Sequence, residues 1–477
     1  MNLKNAVLAL TVLAFVGFVS VTSADDTRVA GRKSLESRIA ELEAKLQDAG
    51  VGGGVKGSGI KISGYVDTSY TLNLADRTEG GPFAGSSSQN TGRVFDNQYD
   101  AFNLNAVKLT IQKDKDSSKF PAGFRTDVIL GEDANILNTA SGVAPANAGD
   151  AALNLEQAYV NLGVPIGNGI DVKVGKMVSL IGYEAIESPA NWQFSRSDGF
   201  RLAPNEQTGV TFGYKWNDIV TSTVGVINGW QGQFVGGSGG NGNTDLSFVG
   251  RLDFTGPKTE VGDFTAFAAA MYGNDNTPYI GAVGLANTMN SLTTYIWELG
   301  GTWAKPFGAK DLTLGVDYLW RHTEAQASAA AVGGAGSAYQ AVPLWAGALS
   351  VYGKYDWSGL GAKWTSTSAR FSWSQYDNNG VQTPPATVGQ TLTLSPLVLY
   401  SGPAGANYER QTDLYSFTLT QAFNVWKDTL VRLEWRHDWT TANRAGFGGV
   451  GATAAPGGRD DIRQDQDTIA VNVVYSF

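Results

Sequence analysis

The chain has 477 residues, with 35 Lys and Arg against 44 Asp and Glu for a formal net charge of −9, two His and no Cys. Only 17% of residues are charged and 11% are aromatic, where a soluble domain carries about a quarter charged residues; yet the mean hydropathy of −0.14 is too low for a helical membrane protein, whose spans need ~20 consecutive apolar residues. The lack of thiols excludes disulfides, Cys-based zinc sites and CxxCH haem attachment, and the acidic balance argues against nucleic acid as a partner.

The first residues read as an export signal. MNLKN supplies one Lys, Ala6 to Val21 carry no charge, and Thr22-Ser23-Ala24 end the run in small residues before Asp25 and Asp26. That pattern predicts a secretory signal peptide over 1–24, removed after Ala24, and a mature chain that starts in the periplasm. Residues 34–48, SLESRIAELEAKLQD, place Leu35, Ile39, Leu42 and Leu46 at heptad spacing, which fits either a short self-associating coiled coil or a solvated amphipathic helix. Gly50 to Gly59, GVGGGVKGSG, follow as a flexible linker. Residues 25–58 therefore read as a periplasmic helical segment and linker ahead of a domain over 59–477.

From residue 60 the hydrophobic period changes to two. Thr208, Val210, Phe212, Tyr214 and Trp216 share one face of EQTGVTFGYKW, as Leu312, Leu314, Val316, Tyr318 and Trp320 do in DLTLGVDYLW. The pattern predicts sixteen strands, over 59–74, 99–113, 122–132, 153–164, 170–181, 206–216, 220–230, 245–254, 264–273, 294–304, 311–322, 345–357, 361–377, 411–421, 429–440 and 468–477. A soluble sandwich would bury the apolar face, whereas an outer-membrane barrel turns it to lipid. The connections discriminate: short ones such as PIGNG, ND, PFGAK and SGL alternate with long ones rich in Gly, Ala, Asn and Ser, as in an all-β transmembrane antiparallel barrel. GQTLTLSPLVLY over 389–400 is assigned to a long outer loop, because an odd strand count would break this parity.

The apolar face changes sides at Ala106/Val107 and near Gln157/Ala158, which predicts β-bulges there. Trp216, Trp230, Trp303, Trp320, Trp357 and Trp439 fall at or near strand ends, where interfacial girdles are expected.

No catalytic constellation is present. His322 and His437 have no Ser or Cys partner at a meaningful spacing, and neither HExxH nor GxSxG occurs; no enzyme, cofactor or metal set is expected. The lumen face is richer. Lys61, Asp67, Lys108, Arg125, Asp127, Arg251, Asp253, Glu298, Asp317, Arg321, Lys354, Asp356, Arg370, Arg432, Glu434 and Arg436 lie opposite the apolar stripe, which argues for a watered interior. Of these, Lys108, Arg125, Asp127, Arg251, Asp317, Arg370, Arg432, Glu434 and Arg436 are the leading pore-lining positions. The connection over 181–206 mixes Glu184, Glu187, Arg196, Asp198 and Arg201 with Tyr183, Trp192, Phe194 and Phe200. Such a loop suits folding into the lumen as a constriction; an ordered outer loop is the alternative.

The run EQAYVNLGVPIGNGIDVKVGKMVSLIGYEAIESPANWQFSRS, with TGVTFGY and VGVINGW after it, resembles the β-barrel porin family of the OmpL-like type, most densely over 156–230. The resemblance implies an outer-membrane porin of a Gram-negative bacterium and specifies little about substrate. The expected function is passive diffusion of ions and small hydrophilic solutes through a barrel narrowed by residues 182–205. A closed structural or adhesive barrel and a substrate-selective channel filtered by Arg196 and Arg201 are the alternatives. The expected partners are outer-membrane lipid, the barrel assembly machinery and the permeating solutes, with a homotrimer suggested by the heptad seam. The last ten residues, TIAVNVVYSF, alternate strictly and end on Phe477, which reads as the closing strand with a terminal aromatic assembly signal.

Overall fold

The structure, a computed structural model, describes residues 59–74, 90, 92–140, 153–229, 246–275, 289–328, 339–377, 398–399, 411–441, 445–446 and 464–477. The signal segment over 1–24, the heptad seam over 34–48, nearly all of the Gly-rich linker and Trp230 lie outside these residues.

Alternation at period two puts successive side chains on opposite faces, and the described chain resolves into strands accordingly. They are β1 (Ile60–Asn73), β2 (Phe102–Lys113), β3 (Ala122–Leu130), β4 (Leu153–Val164), β5 (Ile170–Val178), β6 (Glu206–Lys215), β7 (Val220–Asn228) and β8 (Leu246–Thr255). The second half comprises β9 (Asp263–Asp275), β10 (Met289–Ala304), β11 (Leu312–Ser328), β12 (Tyr339–Asp356), β13 (Thr365–Asp377), β14 (Gln411–Phe423), β15 (Thr429–Thr440) and β16 (Asp465–Ser476). Each pairs antiparallel with the next, and β16 pairs back with β1 to close a sixteen-strand barrel. Among the described residues two short α-helices lie in long connections, α1 (Glu132–Ala140) and α2 (Asp198–Leu202). Within 389–400 the described residues Val398–Leu399 pair with Ala445–Gly446 in a separate two-stranded ladder and belong to no barrel strand.

Closure is made by the chain end. Val66 faces Tyr475, Thr68 faces Val473 and Leu72 faces Ile469 across the seam. Gly64 N donates to Phe477 O at 3.0 Å, and Phe477 N donates to Gly64 O at 2.9 Å. Gly64 suits this crowded corner, since a Cβ there would lie 2.1 Å from Lys108 O and 2.7 Å from the Phe477 ring.

The polarity of the barrel is the reverse of a soluble domain's. On β15, Leu433 is 48% exposed while Arg432 and Glu434 beside it are 0% and 2% exposed. All the charged positions expected inside fall on the inward side of the register, whereas Phe212, Val224, Leu252, Trp297, Val351 and Leu419 face outward and are exposed. A one-residue slip would turn such inward arginines into the bilayer, at ~2–4 kcal/mol each near the midplane.

Both expected bulges occur. The β1–β2 register shifts between Asp67 and Thr68, opposite Asn105, and the β3–β4 register shifts between Asp127 and Val128, opposite Glu156. Each lets two successive residues reach the interior, Asn105 with Ala106 and Glu156 with Gln157, all buried. Among the Trp residues, Trp216, Trp303 and Trp357 sit at the short-turn end with Nε1 bonded to Ser222 Oγ, Val261 O and Thr367 Oγ1, each at 2.9 Å. Trp439 marks the opposite rim. Trp320 is not at a strand end, because β11 continues to Ser328, beyond the predicted end at 322.

Replacing Gly64 with Val should therefore strain the closing seam by ~1–3 kcal/mol, the cost of overpacking. The check is the temperature at which the folded barrel loses its fast migration on unboiled gels, expected to fall.

Candidate functional site

Residues 179–205, between β5 and β6, fold into the barrel. Locally the loop is held by its own polar groups. Asn191 Nδ2 donates to Ala185 O at 2.8 Å and to Glu187 O at 3.0 Å, while Asn191 Oδ1 accepts from Ala185 N at 2.9 Å. Pro189 sits at the start of the 3-10 turn Ser188–Ala190 between them. Ser197 caps α2 by accepting from Phe200 N. Arg196 closes the fold from inside: its guanidinium donates to Ala185 O (3.0 Å), Phe194 O (2.6 Å) and Ile186 O (2.7 Å) and lies against the rings of Phe95 and Phe200. These backbone carbonyls have no sheet partner, and a buried carbonyl left unpaired costs ~1–3 kcal/mol. One planar side chain with five donors satisfies three of them.

The far wall then grips the loop. Arg432 Nη1 donates to Ser188 O (3.1 Å), Asn191 O (3.1 Å) and Gln193 O (3.0 Å), and its Nη2 donates to Ser188 Oγ (2.5 Å). Two residues on, Glu434 accepts from Phe194 N at 2.7 Å and Ser195 N at 2.9 Å. Two further, Arg436 Nη1 donates to Arg196 O at 2.6 Å. The i, i+2, i+4 spacing on β15 thus presents donor, acceptor and donor to one stretch of loop backbone. Arg370 on β13 adds an ion pair to Glu184 at 2.7 Å and a bond to Ser195 O at 2.7 Å, and Ser374 donates to Asp198 at 3.1 Å.

Other walls hold the loop ends. Gly182 N donates to Glu298 Oε2 at 2.6 Å, and Arg251 Nη1 donates to Leu180 O at 3.0 Å. A Cβ on Gly199 would lie 3.2 Å from Asp317 Oδ2. Near β2 and β4, the Lys108 ammonium meets Glu187 at 2.6 Å, Asp127 at 3.1 Å and Glu156. Asp127 also takes Arg125 Nη2 at 2.8 Å. The carboxylates of Asp127, Glu156 and Glu187 lie close enough together to hold a cation, and the Lys108 ammonium already occupies that role. A second cluster, His437, Asp465 and Asp467, lies on the outward rim, where His437 Nδ1 is 3.1 Å from Asp467 Oδ1.

The expected pore-lining residues face the lumen, but the loop corrects their environment. Lys108, Asp127, Asp317, Arg370, Arg432, Glu434 and Arg436 are all buried at 3% exposure or less, because loop backbone and neighbouring side chains cover them. Arg196, expected as a filter charge, is likewise spent on loop carbonyls. Asp198 is buried in α2, while Arg201 packs over the Tyr376 ring at 5.2 Å. Arg125 and Arg251 remain partly open to water.

A further inward segment has no counterpart in the sequence reading. Arg93 reaches Asp438 at 2.7 Å and Thr468 Oγ1 at 3.0 Å and also pairs with Asp96. Phe95 packs with Phe200, Ile186, Tyr65, Ile129, Leu137 and Val474 in an apolar cluster inside the barrel. Ile129 and Val474 were the available signal, as apolar residues on inward strand positions. On the side of β3 to β7 the lumen stays open as a cavity of 710 Å³ that reaches the exposed short turns at Ser118 and Asn168.

A closed sheet with lipid-facing apolar residues, charged inner walls and an inward loop defines a transmembrane porin. The chain belongs to the family described as Putative beta-barrel porin-2, OmpL-like, whose model matches residues 59–477; it is an outer-membrane porin. The fold is similar to that of the outer membrane channel DcaP of Acinetobacter baumannii, at 10% identity and a TM-score of 0.52, covering 89% of this chain and 99% of that one. OprB of Pseudomonas putida also matches, at 12% identity and a TM-score of 0.48 over 92% and 97% of the two chains. A search of curated protein sequences finds no relative.

Arg432→Ala should free the loop, because three carbonyls lose their donor at ~1–3 kcal/mol each; faster amide hydrogen exchange over 188–195 is the expected readout. The tie to Lys108 also responds to pH. Burial pushes the Glu187 carboxyl up, but the Lys108 charge and hydrogen bond outweigh it and hold the group below the ordinary glutamate range. A depressed carboxyl stabilises the docked loop above its unfolded value and ceases to do so as pH falls through the docked one. Exchange over 183–190 should therefore accelerate only on acidification below about pH 4.3, the ordinary value for glutamate.

Proposed function

We propose that the barrel passes ions and small hydrophilic solutes by passive diffusion, with residues 179–205 setting the width of the passage. The observation that carries this reading is the set of bonds tying the loop to inward side chains of β2, β8, β10, β13 and β15. A loop bonded to opposite walls cannot leave the lumen without exposing buried charges, so it acts as a fixed restriction rather than a mobile lid. Within this reading Glu184, Glu187, Arg196, Asp198 and Arg201 shape the restriction, and Arg370, Arg432, Glu434 and Arg436 position it.

The same reading has the chain exported by its first 24 residues and inserted with Phe477 as the assembly label. The heptad seam would hold three copies together, so that deleting 34–48 lowers the size of the detergent-solubilised particle on a sizing column. Its central test is electrical. Purified protein in planar bilayers should give stepwise openings, and replacing residues 184–201 with a short Gly-Ser linker should raise the conductance of each step. A tight seal, or unchanged steps in the linker variant, would remove the loop from this role.

A further inference from the structure

The inner walls are not equivalent. On β4 to β7 the inward positions include Gly163, Gly175, Gly209, Gly213 and Gly225, of which Gly163 and Gly213 line the open cavity. At Gly175 and Gly209 a Cβ would meet a neighbouring carbonyl oxygen at 2.2 Å. The far wall instead carries the arginines that hold the loop. The open cavity therefore lies off-centre, against β3 to β7.

Its charge is one-sided. Among the described residues lining the cavity are four ammonium groups, Lys115, Lys119, Lys173 and Lys215, and one carboxylate, Asp171. Asp171 is paired with Lys115, and Lys215 with Asp218 on the exposed turn. Lys173 lies 5.1 Å from the centre of the Tyr159 ring and Lys119 5.7 Å from that of Phe120. Neither has a carboxylate within ion-pair distance among the described residues. Neighbouring carboxylates are already matched, Asp127 by Arg125 on β3 and Asp253 by Arg251 on β8. A narrow low-dielectric passage focuses whatever charge is left uncompensated, and here that charge is positive.

We propose that the short-turn mouth of the passage is an anion-attracting vestibule, with Lys173 as the principal selectivity residue and Lys119 supporting it, so that small anionic solutes such as carboxylates and inorganic anions pass in preference to cations. The proposal rests on the diffusion reading above. It runs against the chain's formal charge of −9, because selectivity follows the groups lining the passage and not those on the loops.

The test is the reversal potential of the full-length protein in a neutral-lipid planar bilayer under a tenfold KCl gradient. The wild type should show a chloride-to-potassium permeability ratio above one. That ratio should fall toward one when the same gradient is moved to molar salt, where the screening length shrinks to ~3 Å from ~10 Å at 0.1 M. Lys173→Glu should invert the preference, and Lys119→Gln, on an exposed turn where folding is not at risk, should lower the ratio without inverting it. A wild type that prefers potassium, or a Lys173→Glu channel with unchanged reversal potential, overturns the proposal while leaving the diffusion reading intact. Absence of any conductance would instead overturn that reading, and the vestibule with it.

Discussion

Hydrocarbon cannot hydrogen-bond a peptide group, and every other feature of this molecule follows from that. An open sheet edge in lipid would leave a row of N–H and C=O groups unpaired at several kcal/mol each, so the sixteen strands must close, and they do so through the final strand and the bonds between Gly64 and Phe477. Closure fixes which face is which. Once Leu433 and Val471 meet lipid, Arg432, Glu434 and Asn472 must lie inside.

The interior then has a problem that lipid does not pose. Several charged side chains crowd a limited volume, and isolated buried charges are costly. The inward loop solves this with backbone rather than with matching charges alone. Arg432, Arg436 and Arg196 find carbonyl oxygens, Glu434 finds amide hydrogens, and Glu184 pairs with Arg370. The loop is satisfied by the wall and the wall by the loop. Each set of groups would be left with unpaired buried polar atoms without the other, which is the physical basis for a loop held fixed inside the barrel.

This mutual dependence also divides the lumen. Arginines on β13 and β15 take up loop backbone, while beside β3 to β7 a cavity of 710 Å³ stays open. The space left open is an off-centre cavity, beside residues that alternation alone would treat as unremarkable.

Much of the architecture was legible from residue order. Period-two alternation is imposed by strand geometry itself, so the strands, their parity, the inward charges and the two bulges near Ala106 and Gln157 could all be read locally. The ends of β11 and β12 could not, because their extensions to Ser328 and from Tyr339 carry mixed, weakly patterned residues. Nor could the inward packing of Phe95 and the reach of Arg93 to Asp438, which lies 345 positions away. The sequence by itself determined a lipid-facing barrel with a charged interior and a loop suited to enter it. Only the tertiary structure decided which charges meet water and which meet the loop, because a side chain's partner inside a closed barrel depends on what lies across the lumen, and no local period encodes that.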